Sequence, residues 1–302
     1  MSVRSVARAL PSEFGGRARA ESEPEGKRKS MSLHKSGLKA GLARIAVVSI
    51  AGALCLPALS LAQGRGGAVP VGKPGAPVDL TGYWVSIVTE DWRYRMITPK
   101  KGDYASVPLN ADARKVGDAW DPAKDEAAGE QCKSYGAPAV MRVPGRININ
   151  WQDDLTLKVD TDAGKQTRLY HFGKSQPLTG PGTIQGYSVA TWEAPPAPQN
   201  AAAAGNNSPA ATVETPKSGG SLKVVTTHLK AGYLRKNGVP YSENTVLTEY
   251  YTRTLESNGD SWLIVTTIVE DPTYLNQPFL TSTHFKREAD GSKWMPLACT
   301  SR

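Results

Sequence analysis

The chain has 302 residues, with 36 Lys/Arg against 28 Asp/Glu and a formal net charge of +8. Ten of the basic and four of the acidic residues fall in residues 1–62, so residues 63–302 carry 36 − 10 = 26 basic and 28 − 4 = 24 acidic side chains, a net of +2. With that balance and no later basic run, charge excludes a nucleic-acid partner.

In chain order, the first element is an apolar run over residues 45–61. Lys35, Lys39 and Arg44 precede it, and the small residues Ser60 and Ala62 close it. A basic flank, a short apolar stretch and small residues before the cut predict a secretory signal cleaved after Ala62. Met31 offers a second start within this leader. The alternative, an uncleaved anchor, meets a run that is interrupted by Pro57 and falls short of the roughly 20 residues a span needs. Cys55 follows Leu54 rather than a small residue, which does not fit a lipid anchor. The expected location is periplasmic or secreted, with no membrane span left after cleavage.

Residues 63–78 are rich in Gly and Pro and read as a flexible tether. Residues 79–302 read as one domain, with a low-complexity insertion at 194–220 marked by Pro195-Pro196 and the alanines 201–204. Strands are predicted at 80–89, 92–97, 145–151, 155–160, 166–172, 186–193, 221–230, 244–254, 261–270 and 278–286, with a short one at 293–298. Polar turns such as Asp153-Asp154, Asp162-Ala163-Gly164 and Asn258-Gly259-Asp260 separate several of them. Short turns between β-branched and aromatic runs predict antiparallel hairpins. One helical segment is expected near 110–131, with Asn110 as its cap and Pro122 interrupting it. The strand at 261–270 is apolar on both faces, so one face fills an interior and the other needs cover. The fold class is mainly β: an antiparallel meander closed into a barrel of about eight to ten strands, which removes sheet edges. A two-sheet β-sandwich is the alternative.

The segment Gly82-Tyr83-Trp84 at the first core strand resembles the Gly-x-Trp of lipocalin-like (calycin) barrels. The resemblance implies that Trp84 closes one barrel end and that a basic residue near the last strand, Lys286 or Arg287, stacks on it. The helical segment and the insertion depart from a simple lipocalin meander. More widely, residues 79–299 resemble uncharacterised secreted proteins of Gram-negative bacteria, on segments such as Gly129-Glu130-Gln131-Cys132, 234–241 and 269–274. That likeness implies no activity.

After cleavage two cysteines remain, Cys132 and Cys299. In an oxidising compartment they predict one disulfide, two separate buried thiols being the alternative. The carboxylate pairs Glu90-Asp91 and Glu270-Asp271, with His284, are the candidate acid–base groups at a barrel mouth. Against that, acidic residues at strand exits commonly solvate turns, and Asp-Pro starts them. His171, His228 and His284 lie on separate predicted strands without metal-motif spacing, so no metal is assigned. Trp84, Trp151, Trp192, Trp262 and Tyr250 are the candidate lining of an internal small-molecule pocket. An aromatic core without a cavity is the alternative. Arg93, Arg95, Arg142 and Arg146 flank loops where an anionic ligand would be received. No nucleophile elbow, phosphate-cradling glycine loop, zinc-protease helix or Cys-x-x-Cys pair is found.

The expected function is an exported protein that binds a small apolar or aromatic molecule and uses no cofactor. The first alternative is a cofactor-independent acid–base enzyme (isomerase, hydratase or cyclase) on the same barrel. The second is a structural envelope module without ligand. Whether the chain is an enzyme, and its oligomeric state, are left open by the residues.

Overall fold

The computed structural model describes residues 71–173, 179–193 and 219–302. The predicted signal peptide and most of the 194–220 insertion lie outside the described residues.

Nine strands close into one barrel: β1 (Gly82–Ile87), β2 (Arg146–Asp153), β3 (Thr156–Thr161), β4 (Gln166–Phe172), β5 (Tyr187–Glu193), β6 (Ser221–Thr227), β9 (Val246–Leu255), β10 (Ser261–Glu270) and β11 (Phe279–Arg287). A hairpin of β7 (Gly232–Arg235) and β8 (Val239–Tyr241) is inserted between β6 and β9. Going round, the order is β1-β11-β10-β9-β6-β5-β4-β3-β2 and back to β1. The predicted turns hold their strands by the chemistry of their side chains. Asp153 Oδ1 accepts from Leu155 N (2.8 Å) between β2 and β3, and Asn258 Oδ1 accepts from Asp260 N (2.9 Å) between β9 and β10.

The expectation of a wholly antiparallel meander needs correction. β4 and β5 run parallel, with Tyr170 opposite Ser188 and Phe172 opposite Ala190. An odd number of strands makes this unavoidable. A closed ring with every neighbour reversed must contain an even number, so nine strands require at least one parallel pair. β5 runs beside β4 in the same direction and pairs antiparallel with β6 on its other side.

Other predicted elements also change. Residues 92–97, expected as a strand, form the helical turn α1 (Trp92–Arg95) after Asp91, whose φ of 50° turns the chain out of the sheet. Residues 293–298 make no strand, only one bridge between Ala163 and Leu297. The segment 110–131 divides into α2 (Ala111–Ala119) and α3 (Pro122–Ala127). Asn110 Oδ1 caps α2 through Ala113 N (2.9 Å), and Asp121 caps α3 through Ala123 N (3.0 Å) with Pro122 at the first position. A 3₁₀ turn (Gln131–Tyr135) and the short α4 (Ala137–Val140) follow.

Alternation along the strands sends one set of side chains inward. At one end and through the middle, Trp84, Ile149, Val159, Tyr170, Leu222, Tyr251 and Phe285 form a buried cluster. At the other end Leu247, Val269 and Phe279 pack with Tyr104 and Leu109 of the loop before α2, with Ala113 of α2 and with Leu234, Val239 and Tyr241 of the hairpin. The helices and hairpin therefore cap that end. The disulfide Cys132–Cys299 ties the cap to the C-terminus. Residues 71–78, read as a tether, lie along the opposite end: Gly72 O accepts from Trp192 Nε1 (2.8 Å), and Lys73 N donates to Asp154 O (2.8 Å).

Candidate functional site

The aromatic candidates separate by face. Trp84 points inward and is wholly buried, its Nε1 donating to Leu80 O (3.0 Å). The Arg287 guanidinium lies over its ring at 5.6 Å, as the resemblance implied, whereas Lys286 pairs with Asp260 (2.8 Å) instead. Trp151 and Trp192 gather with Phe172 at the same end, with ring centroids 5.4–6.4 Å apart. Trp262 and Tyr250 do not line the interior. They occupy outward positions on β10 and β9, each next in the chain to an inward, buried residue, Leu263 and Tyr251. The strand 261–270 is apolar on both faces, so composition alone could not say which set faced in.

At mid-height the interior is filled. Arg168 and Glu249 make a two-pronged ion pair across it, with Tyr170, Tyr251, Ser188 and Thr226 closing the network. Burial disfavours the Arg168 charge, but Glu249 more than compensates and raises its pKa. The same burial holds Tyr170 and Tyr251 protonated, far above the usual range.

A cavity of about 270 Å³ opens instead at the capped end. Three segments build it: residues 94–98 of α1 and its exit, residues 134–144 around α4, and residues 234–236 at the end of β7 and just past it. Arg95, Arg142 and Arg235 line it while exposing only 8, 7 and 4 % of their surface. Met96, Ile97, Val143, Pro144 and Leu234 supply its apolar part.

The first carboxylate pair serves these arginines. Glu90 is bonded by Arg95, and Asp91 accepts from Arg142 Nη2 (2.8 Å). Arg95 Nε also donates to Arg142 O (2.9 Å) and its Nη2 to Ser86 Oγ (3.0 Å). Arg235 has no carboxylate of its own among the described residues. One nitrogen donates to Ala105 O (2.7 Å), and the guanidinium stacks 4.1 Å from the Tyr94 ring. Its Nε and Nη2, and Nη1 of Arg142, are buried with no partner. An unpaired buried donor is costly, and here three such nitrogens belong to two arginines of one cavity. Burial and the repulsion of Arg142 push Arg235 down to about 10. Burial likewise lowers Arg95, with Glu90 opposing and Arg142 adding to the effect.

The other candidates are dispersed. Asp271 is buried and saturated as an acceptor: Ser242 N (2.6 Å), Ser242 Oγ (2.8 Å), Thr245 Oγ1 (3.1 Å) and Thr273 N (2.8 Å) all donate to it. It organises the turn that Asp271-Pro272 begins. Glu270 is exposed. Of the expected arginines, Arg146 pairs with Glu288 (2.8 Å) and Arg93 with Asp103 (2.6 Å). His171 stacks on Tyr187 at 4.9 Å, and His228 sits in the loop after β6 at a φ of 57°. Among the described residues no group of three His, Cys, Asp or Glu is arranged to hold a metal ion.

Glu90 and His284 do meet, through Thr89. Thr89 Oγ1 donates its one hydrogen to Glu90 Oε2 (2.7 Å), so at its 2.7 Å contact with His284 it must accept from Nδ1–H. In the neutral ring Nε2 is then the acceptor nitrogen, and it faces Ser282 Oγ at 3.2 Å.

Sequence reasoning reached Arg95 and Arg142 but missed Arg235. Its signal was a cation following the aromatic-aliphatic pair Tyr233-Leu234 within the segment singled out at 234–241. A charged residue at an inward register position of a short strand is unusual unless it has a task.

The sequence matches no family model, and comparisons with curated proteins and with solved structures return no significant match.

Proposed function

We propose that this is an exported small-molecule-binding protein whose ligand carries an anionic group, received by Arg95, Arg142 and Arg235 at the capped end of the barrel. One observation carries the reading: three nearly buried guanidiniums line one cavity, and two of them, Arg142 and Arg235, keep buried nitrogens without a partner. A planar guanidinium matches a carboxylate or phosphate in two-pronged geometry, and in a site shielded from water each such bond is strong. Glu90 and Asp91 balance two of the three charges, so an anion supplies the third. The apolar wall accommodates the rest of a small ligand. Binding at this end is consistent with a middle filled by large side chains.

Export is supported by the leader sequence and by the disulfide, which persists in oxidising compartments. Among the described residues no helix is long and apolar enough to cross a membrane. The lipocalin-like reading rests on Gly82, Trp84 and Arg287. The parallel pair β4–β5 and the ninth strand set the barrel apart from an eight-stranded up-and-down lipocalin.

A thermal-shift series tests the reading, with acetate, benzoate, inorganic phosphate and phenyl phosphate set against neutral benzyl alcohol. Anions present at a hundred times their dissociation constant stabilise by about 2.7 kcal/mol. Arg235→Met removes the effect. Equal shifts with the neutral compound, or none with any anion, overturn the proposal.

The relay Ser282–His284–Thr89–Glu90 favours a second reading, an acid–base enzyme on the same barrel. Its His284 Nε2 is placed to take a proton from a hydroxyl. Turnover of simple ester or enol substrates that disappears in His284→Asn supports it; activity unchanged in that variant removes it.

A further inference from the structure

The cavity has an apolar doorstep. Trp92, Met96 and Ile97, all on α1 and its exit, are 63, 59 and 64 % exposed. They account for three of the ten large hydrophobic side chains exposed among the described residues, yet lie within six positions of one another. Met96 and Ile97 also line the arginine cavity, so the exposed apolar surface runs from the outside into the site. Cations border it. Arg93 exposes 63 % of its side chain, Lys100 and Lys101 are exposed, and Lys236 lines the cavity on the far wall. Arg93 pairs with Asp103, and Lys236 donates to Thr300 Oγ1 (3.1 Å) and Arg302 O (3.2 Å), whereas Lys100 and Lys101 make no ion pair among the described residues. Exposed tryptophan and aliphatic side chains beside basic residues describe a segment that settles at the interface of an anionic bilayer. The rings and chains enter the headgroup boundary, and the cations meet lipid phosphates.

We infer that the anion of the Arg95–Arg142–Arg235 site is the phosphate of an anionic lipid at a bilayer surface, on which Trp92, Met96 and Ile97 dock. The inference rests on the proposed anion-binding function and adds the source of the anion. Apolar contact and phosphate contact are then made by one molecule. The acyl region lies against Met96 and Ile97, and the headgroup reaches the guanidiniums behind them. The occupant is chosen by charge complementarity: a zwitterionic surface would leave the bordering cations and the third arginine without balance. Lys100 and Lys101 steer the approach, and Arg235, hidden from the outer surface, contributes only once a phosphate has entered the cavity.

Co-sedimentation of the processed chain, residues 63–302, with vesicles tests this, comparing pure phosphatidylcholine with a mixture holding 30 % phosphatidylglycerol. Partition onto the anionic vesicles is expected to be about tenfold stronger, with a blue shift of Trp92 emission. Trp92→Asp, at an exposed position outside the cavity lining, should lose vesicle binding and keep the thermal shift given by inorganic phosphate. Arg235→Met, which hardly alters the outer surface, should lower partition onto the anionic vesicles by about tenfold. Equal partition onto both vesicle types overturns the inference, as does partition unchanged in Trp92→Asp or in Arg235→Met. If inorganic phosphate shifts the melting temperature while vesicles are ignored, the lipid inference falls and the anion site stands. If neither phosphate nor vesicles bind, both fall.

Discussion

Arg168 and Glu249 face each other across the barrel, from strands β4 and β9 that are not neighbours in the sheet. Nη1 lies 2.9 Å from Oε1 and Nη2 lies 2.7 Å from Oε2, and neither side chain reaches solvent. Two charges taken out of water contribute stability only while each answers the other. Glu249 also accepts from Tyr251, and Arg168 also donates to Thr226, so the pair bolts the three strands β4, β6 and β9 together. Glu249→Gln leaves the arginine uncompensated and is expected to cost about 3–5 kcal/mol. The double variant Arg168→Met/Glu249→Leu should recover most of that loss. Guanidinium unfolding midpoints at unchanged slope measure both; a single variant as stable as the double one contradicts the account.

Gly82 belongs to the Gly82-Tyr83-Trp84 motif for a backbone reason. Its φ is +122°, a region closed to side chains, and an added Cβ would stand 3.1 Å from Nη2 of Arg287. The arginine has room to give, whereas the dihedral has none. Gly82→Ala is expected to destabilise by about 1–3 kcal/mol, and a second change, Arg287→Met, should not restore it. Restoration would show instead that crowding over Trp84 was the cause.

The disulfide joins residues 167 positions apart and fastens the C-terminus to the cap that carries Ser134 of the cavity wall. Removing it as Cys132→Ser/Cys299→Ser should cost about 2–5 kcal/mol, chiefly by freeing the unfolded chain. Reductant should lower the unfolding midpoint of the wild type and leave the variant untouched. Anion binding should weaken before the barrel unfolds, because the cap, not the sheet, loses its tie.

Alkali should unfold the protein cooperatively. Tyr104 is pushed up to about 12 by burial and by its hydrogen bond to Asp118, and Tyr233 also to about 12, mainly by burial. Tyr170, Tyr241 and Tyr251 are raised in the same direction by burial. A tyrosine with a higher pKa folded than unfolded holds its proton more tightly in the native state. Its contribution is complete below the unfolded value of about 10 and is lost as the pH climbs toward 12 and beyond. Tyrosinate absorbance and far-ultraviolet dichroism should therefore change together above pH 10. Full ionisation near pH 10 with the dichroism intact contradicts the burial.

Much of the barrel was legible because short strands with turn chemistry between them declare themselves locally. Predicted bounds for β4 and β10 coincide with the observed strands, and most others agree to within a few residues. The errors are informative. The run 92–97 has strand-like side chains, but Asp91 turns the chain and Arg95 is drawn inward by Glu90, a partner five residues earlier that tertiary packing folds back onto it. β7 and β8 are too short for periodicity to register. The site was half legible: Arg95 and Arg142 stood out as arginines near strand ends, and their carboxylate partners were visible as a pair. What only the fold shows is that each of these carboxylates is bonded by an arginine, Glu90 by Arg95 and Asp91 by Arg142.

From its residues alone, this chain settles what local chemistry can settle: a mainly β domain, hairpin turns placed by Asp, Asn and Gly, two cysteines fit for one bond, and a glycine two residues before a buried tryptophan. Which face of β10 turns inward, that β4 and β5 run parallel, that Arg168 meets Glu249 and that Arg235 joins two other arginines were decided only in three dimensions. The physical reason is that these contacts join residues tens to more than a hundred positions apart. Their energy comes from desolvation and charge balance in a closed barrel, neither of which exists for any segment until the ring of strands has shut.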